Sequence, residues 1–234
     1  MIPIGDAPGR RRSFPIVTLT LLVANIAAFV WQVDQGPGFE HVVAALGVTP
    51  YELTTGRDLP PPAPIPVQLT LFTAMFLHAN LLHLGGNMLY LWVFGDNVED
   101  RMGHMRFLVF YLLSGLGGSL VHIATDPLSR IPSIGASGAI AGVLAGYLVL
   151  FPKAPVRTLL FLGPFITVTR VSAFLLIGLW FLVQLLSGLA ELGGSVGGGV
   201  AFWAHIGGFV VGLFATPLLR RRQTSRDRPF SLRS

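Results

Sequence analysis

The sequence predicts an all-α integral membrane protein with six transmembrane helices, and three observations carry that expectation. First, 52% of the 234 residues are hydrophobic and only 12% are charged, with a mean hydropathy of +0.67, a balance that soluble domains of this size do not reach. Second, six apolar stretches approach the ~20 residues needed to cross a hydrocarbon core. Third, the basic residues segregate. Fourteen fall on one side of the resulting topology and only Arg57 and Arg130 on the other, the asymmetry that keeps arginine-rich loops in the cytoplasm.

Taken in order, the chain opens with a basic segment, 1–13, that includes Arg10, Arg11 and Arg12. These arginines ahead of an apolar run look like a secretion signal. No small-residue cleavage site follows, however, and the run is long enough to span, so an uncleaved first helix is expected at 14–33. In the outer loop, 34–80, "FEHVVAALGVTPYELTTG" reads as short interfacial helices and "LPPPAPIPV" as extended polyproline geometry. The second helix, 81–98, has the length to span but carries His83, Asn87 and Asp96. Further spans are expected at 105–124, 134–151, 171–189 and 200–219. Residues 158–169 are apolar but short and contain Gly163 and Pro164, which suits an interfacial or re-entrant segment. Counting that segment as a span would export the arginine-rich tail, 220–234. Gly193 to Gly199 reads as a flexible outer connection. With six spans both termini are cytoplasmic, frequent arginine against a single lysine hints at a GC-rich bacterial genome, and a bacterial cytoplasmic membrane is the expected location.

Composition also excludes chemistry. The sequence pI of 10.4 does not indicate nucleic acid, because the basic residues sit at helix ends and in the tails. With no cysteine there are no disulfides, thiolate nucleophiles or cysteine-ligated metals. Zinc proteolysis lacks its His-Glu-x-x-His string, and an aspartyl mechanism lacks a second intramembrane aspartate.

Ionisable and strongly polar side chains inside a bilayer are costly enough to count as functional candidates. His83 and Asn87, four apart, project from one face of the second helix. Ser137 opens the fourth helix and His205 lies just inside the sixth. All three helices run inward from the outer side, so these four residues share one layer within about 10 Å of the outer boundary at 1.5 Å rise per residue. Gly138, Gly142 and Gly146 line one stripe of the fourth helix, and Gly208 and Gly212 form a small-xxx-small pair on the sixth. If the stripes face each other, a hydroxyl and an imidazole come within reach for base activation of a nucleophile. Asn87, His83 and the N–H of Ser137 would then be donors to an oxyanion. No acidic residue shares the layer, which predicts a Ser-His dyad.

Together these residues resemble the rhomboid family of intramembrane serine proteases. The resemblance rests on "HANLLHLGGN" (78–87), "GASG" (135–138) and "AHIGGFVVG" (204–212), in that order, with "FGDNVEDRMG" (94–103) as the exit of the second helix. It implies a rhomboid-like six-helix bundle with Ser137 as nucleophile, His205 as general base, and His83 and Asn87 as oxyanion partners. It further implies packing at the site through Gly135, Gly138, Gly142, Gly208 and Gly212, with Glu99 a structural hydrogen-bonding residue. The implied reaction is cleavage of peptide bonds in or beside the transmembrane segments of other membrane proteins, single-pass substrates among them, without metal or cofactor, with the lipid bilayer as partner and no nucleic acid. Two departures stand out. Leu69 and Thr70 occupy the place where many members carry Trp-Arg. Ala141 stands where some members place an aromatic that stacks on the histidine.

Blander readings accompany each residue. His78 serves as loop anchor or substrate contact, and His122 as a structural histidine. Trp31, Trp92, Trp180 and Trp203 read as interface or packing aromatics. A non-catalytic rhomboid-like chaperone or scaffold that binds transmembrane helices is the alternative function, though such proteins usually lose the serine or the histidine. A transporter would be expected to show internal repeats or acidic pathway residues, and neither is found.

Overall fold

The computed structural model describes residues 1–6, 13–163, 165–193 and 200–221. Expectations placed on Arg10–Arg12, on the glycine-rich stretch from 194 to 199 and on the tail from 222 lie outside those residues. β1 (Ile2–Asp6) precedes α1 (Ile16–Asp34), and the short helices α2 (Phe39–Leu46), α3 (Pro50–Thr55) and α4 (Thr70–Thr73) follow. Then come α5 (Leu81–Met102), α6 (His104–Thr125), α7 (Ser137–Leu150), β2 (Pro155–Leu162), β3 (Phe165–Ser172), α8 (Ala173–Leu192) and α9 (Phe202–Leu219). The molecule is a predominantly helical integral membrane protein. Among the described residues α1, α6, α8 and α9 are each long and apolar enough to cross a bilayer, and α5 qualifies together with the segment Val67–Phe76, from which it bends by 80°.

The remaining bundle helix, α7, has 14 residues, about 21 Å of rise against the ~30 Å of a hydrocarbon core. It compensates by sitting at the centre, enclosed by other helices and not by lipid. Every residue from Gly138 to Tyr147 is buried. Because lipid is as apolar as leucine, helices in a membrane associate through close van der Waals contact, and the glycines make that contact possible. A Cβ on Gly208 would run into the Gly138 carbonyl, and one on Gly212 into the Gly142 carbonyl. On the other side, a Cβ on Gly118 of α6 would strike the Ala204 carbonyl of α9. The three backbones thus meet with no side chain between them at these points.

Helix ends follow local chemistry more than hydropathy. α5 starts where the Asn80 side chain accepts the His83 N–H at 2.9 Å, a side-chain N-cap. It runs past residue 98 to Met102 and stops at Gly103, whose φ of +84° suits a residue without Cβ. Its last turns are polar yet fully engaged. The Glu99 carboxylate, 0% exposed, accepts the N–H groups of Val17 and Thr18 at 2.9 and 2.7 Å, the Thr18 hydroxyl at 2.6 Å and His104 Nδ1 at 2.5 Å. It closes off orphan donors at the start of α1 with a negative charge, where the helix dipole favours one. Next to it, Asp100 accepts from the N–H and hydroxyl of Ser13 at 2.9 and 3.0 Å.

A three-stranded antiparallel sheet, ordered β1-β2-β3, adjoins this end of the bundle. It was not anticipated, and residues 158–169, expected as an interfacial or re-entrant segment, form most of its hairpin. The alternating β-branched run "ITVTRVS" in β3 favours a strand, and Gly163 at φ +62° lies in the turn. Asp6 at the end of β1 fastens the sheet to the helices by accepting Asn97 Nδ2 at 2.9 Å and the Tyr147 hydroxyl at 2.6 Å.

Candidate active site

The fourth helix was expected from residue 134, but three backbone contacts keep its approach extended. Val48 and Ser133 exchange N–H···O bonds at 3.0 and 2.8 Å, and the Gly135 N–H donates to the Ala74 carbonyl at 2.8 Å. As a result Ser137 is the first residue of α7, a position whose N–H has no acceptor within the helix. Gly135, at φ +124°, passes over α5 so closely that a Cβ there would lie 2.8 Å from Cε1 and Nε2 of His83 and 3.7 Å from Asn87 Nδ2. Only glycine permits both the conformation and the approach.

With the glycine stripes in contact, Ser137 Oγ lies 2.7 Å from His205 Nε2. The other ring nitrogen, Nδ1, lies 2.7 Å from Oε1 of Gln184 on α8. An amide oxygen only accepts, so Nδ1 carries the proton and the Nε2 lone pair accepts the serine hydroxyl. The indole of Trp180, one turn before Gln184, is 6.0 Å from the imidazole and tilted by 36°. In the first turn of α5, His83 Nδ1 accepts the Ala79 N–H at 3.4 Å, which leaves Nε2 as the protonated nitrogen. Asn87 is buried, and its Nδ2 has no hydrogen-bond partner among the described residues. His83, Asn87, Gly135, Ser137, Trp180 and His205 all line one cavity of about 470 Å³, a volume in the range of small-molecule and peptide subsites.

The remaining candidates lie off this cluster. His78 is fully buried, its N–H donates to Gln32 Oε1 at 2.9 Å, and its ring packs edge-on against His83 with centroids 5.0 Å apart. This is the geometry of a loop anchor. His122 makes no bond to Ser137 or His205. Thr70 is buried and its hydroxyl donates to the Val67 carbonyl at 2.6 Å, while Leu69 is exposed. Ala141 is fully buried, so the imidazole takes its neighbours from α8 instead. Gln184 is the residue that a search for ionisable groups passes over. An amide in the middle of "WFLVQLLSG" is nonetheless a polar group in lipid, and the same rule extended to amides finds it.

Comparison with known proteins agrees in extent with this unit. The chain is 38% identical over 128 residues to "Rhomboid protease GluP" of Bacillus subtilis, covering 55% of this chain and 24% of that protein. It is 39% identical over 101 residues to "Rhomboid protein 1, mitochondrial" of Saccharomyces cerevisiae, covering 42% and 29%. The longest of the three similarities, to "Rhomboid protease AarA" of Providencia stuartii, is 28% identity over 214 residues, 84% of this chain and 69% of that one. The chain therefore spans only about a quarter of the length of the first two relatives. A model of the Rhomboid domain matches residues 67–222. That match runs from the turn ahead of α5 through the end of α9, taking in every helix that contributes to the cavity, and by it the chain belongs to the rhomboid family.

Proposed function

We propose that this protein is an intramembrane serine endopeptidase that cleaves transmembrane segments of other membrane proteins near the outer face of a bacterial cytoplasmic membrane. In this reading both termini are cytoplasmic. The carrying observation is the 2.7 Å contact between Ser137 Oγ and His205 Nε2, made at the wall of a cavity where the Asn87 amide still has a donor to give.

His205 Nε2 takes the hydroxyl proton as Oγ of Ser137 attacks the scissile carbonyl carbon. The carbonyl π-electrons move onto oxygen, and that oxyanion receives N–H donors from His83 Nε2, Asn87 Nδ2 and the Ser137 backbone. Fixed donors in a water-poor site are worth several kcal/mol there. Collapse breaks the C–N bond, and His205 hands its proton to the leaving amine. Water then attacks the acyl ester with His205 again as base, and the serine leaves with the returned proton. A helical substrate hides its carbonyls in i to i+4 bonds, so small or helix-breaking residues near the outer end of its span favour cleavage.

The test is labelling by a fluorophosphonate in detergent or nanodiscs. Wild-type protein is expected to label, and Ser137→Ala and His205→Ala are expected to lose labelling and cleavage by roughly 10³-fold or more. Undiminished labelling of both variants would overturn the assignment.

A further inference from the structure

A Ser-His pair needs its imidazole held in one tautomer and one orientation, because the base works only when the lone pair faces the hydroxyl. A buried carboxylate usually supplies this, and it also stabilises the imidazolium. Among the described residues no carboxylate bonds to His205. Its second hydrogen bond goes instead to a neutral amide, Gln184 Oε1, at 2.7 Å, and Gln184 is only 9% exposed.

The placement of that amide is built into the packing of α8 on α9. Three successive turns of α8 face α9. In the first, Phe181 stacks on Phe209 with centroids 4.2 Å apart and planes at 23°, while Trp180 lies 6.4 Å from Phe209 and 6.0 Å from His205. In the second is Gln184. In the third, Gly188 lets α9 approach so closely that a Cβ there would lie 3.1 Å from Ile206 Cδ1 and 3.4 Å from Trp203 Cε2. The aromatic stack and the glycine hold the register of the two helices on either side of the amide, which keeps Oε1 within reach of Nδ1.

We propose that Gln184 is the positioning residue of the general base: it accepts the Nδ1–H of His205, fixes the tautomer in which Nε2 accepts the Ser137 proton, and does so without placing a charge in the bilayer. The inference rests on the Ser137–His205 reading given above. Trp180 limits rotation of the ring from the side, and the two α8 side chains together supply the restraint that a methyl at position 141 cannot. A neutral amide also avoids the cost of desolvating a carboxylate. The other titratable side chains acting on His205 are His83 of α5 and His122 of α6, and neither bonds to its ring.

The experiment compares Gln184→Met, which keeps length and removes the acceptor, with Gln184→Glu, which keeps an acceptor oxygen in either protonation state. Fluorophosphonate labelling rates, kcat and KM for a cleaved substrate, and the tautomer of ¹⁵N-labelled histidine are measured on the full chain in nanodiscs. Gln184→Met is expected to slow labelling and kcat by roughly 10- to 100-fold, leave KM within about twofold, and replace the single Nδ1–H tautomer of His205 with a mixture. Gln184→Glu is expected to restore labelling to within a few fold of wild type. The proposal is overturned if Gln184→Met labels at the wild-type rate, if its tautomer is unchanged, or if Gln184→Glu is as slow as Gln184→Met. Ser137→Ala and His205→Ala run alongside. If they label, the dyad itself is wrong and this inference falls with it. If they do not label and Gln184→Met does, only the role of Gln184 fails.

Discussion

The two ends of the bundle handle buried polarity in opposite ways. At the end near Met102, Glu99 is saturated: its two oxygens accept from Val17, Thr18 and His104, and Asp100 and Asp6 are bonded to Ser13, Asn97 and Tyr147. At the Ser137 end, Asn87 is equally buried but its amide donor has no partner, and it lines a cavity. Leaving a buried donor unpaired costs about 1–3 kcal/mol, so a fold tolerates it where something else is to occupy the vacancy. A satisfied polar cluster reads as architecture, and an unsatisfied one facing a cavity reads as chemistry.

Three substitutions sharpen or break this contrast. Glu99→Ala strands the donors of Val17, Thr18 and His104 in the interior and is expected to destabilise the protein by about 3–5 kcal/mol, read from unfolding in SDS or by heat in nanodiscs. The labelling rate of the fraction still folded should be unchanged, and a selective loss of labelling would erase the distinction. Asn87→Ala should do the reverse. It is expected to lower kcat about 10²-fold, near 3 kcal/mol of transition-state stabilisation, while the unfolding midpoint barely moves because no hydrogen bond is lost. An unfolding midpoint that drops while cleavage persists would make Asn87 structural. The smallest effect belongs to Tyr147→Phe, which removes the Tyr147 hydroxyl bond to Asp6 and is expected to cost about 1–2 kcal/mol with cleavage intact.

Hydropathy made the bundle legible, because six apolar runs separated by arginine-bearing loops leave little choice of architecture. It misplaced ends where polar groups are satisfied by distant partners. α5 continues through Asn97, Glu99 and Asp100 because Asp6 of β1 and the residues at and just before the start of α1 bond to them, and α7 begins late because Val48 and Ala74 hold residues 133 and 135 in extended contacts. No local pattern contains those partners. The hairpin was missed for a different reason: an average of hydrophobicity over 158–169 ignores the alternation that marks a strand. Within the site, the layer of His83, Asn87, Ser137 and His205 was visible because helix direction and 1.5 Å rise convert sequence position into depth. Gln184 was not, since an amide raises no charge signal and its partner lies 21 residues away.

The glycine contacts between α7 and α9 carry a consequence for how the molecule keeps its calibration. Where side chains separate two rods, spacing drifts with rotamer changes, temperature and lateral pressure from the surrounding lipid. Here carbonyl meets α-carbon, and the gauge is the van der Waals contact of two main chains. In the proposed reaction, the gap that a proton crosses is thereby backed by main-chain contact between the two helices, with no side chain between them to shift.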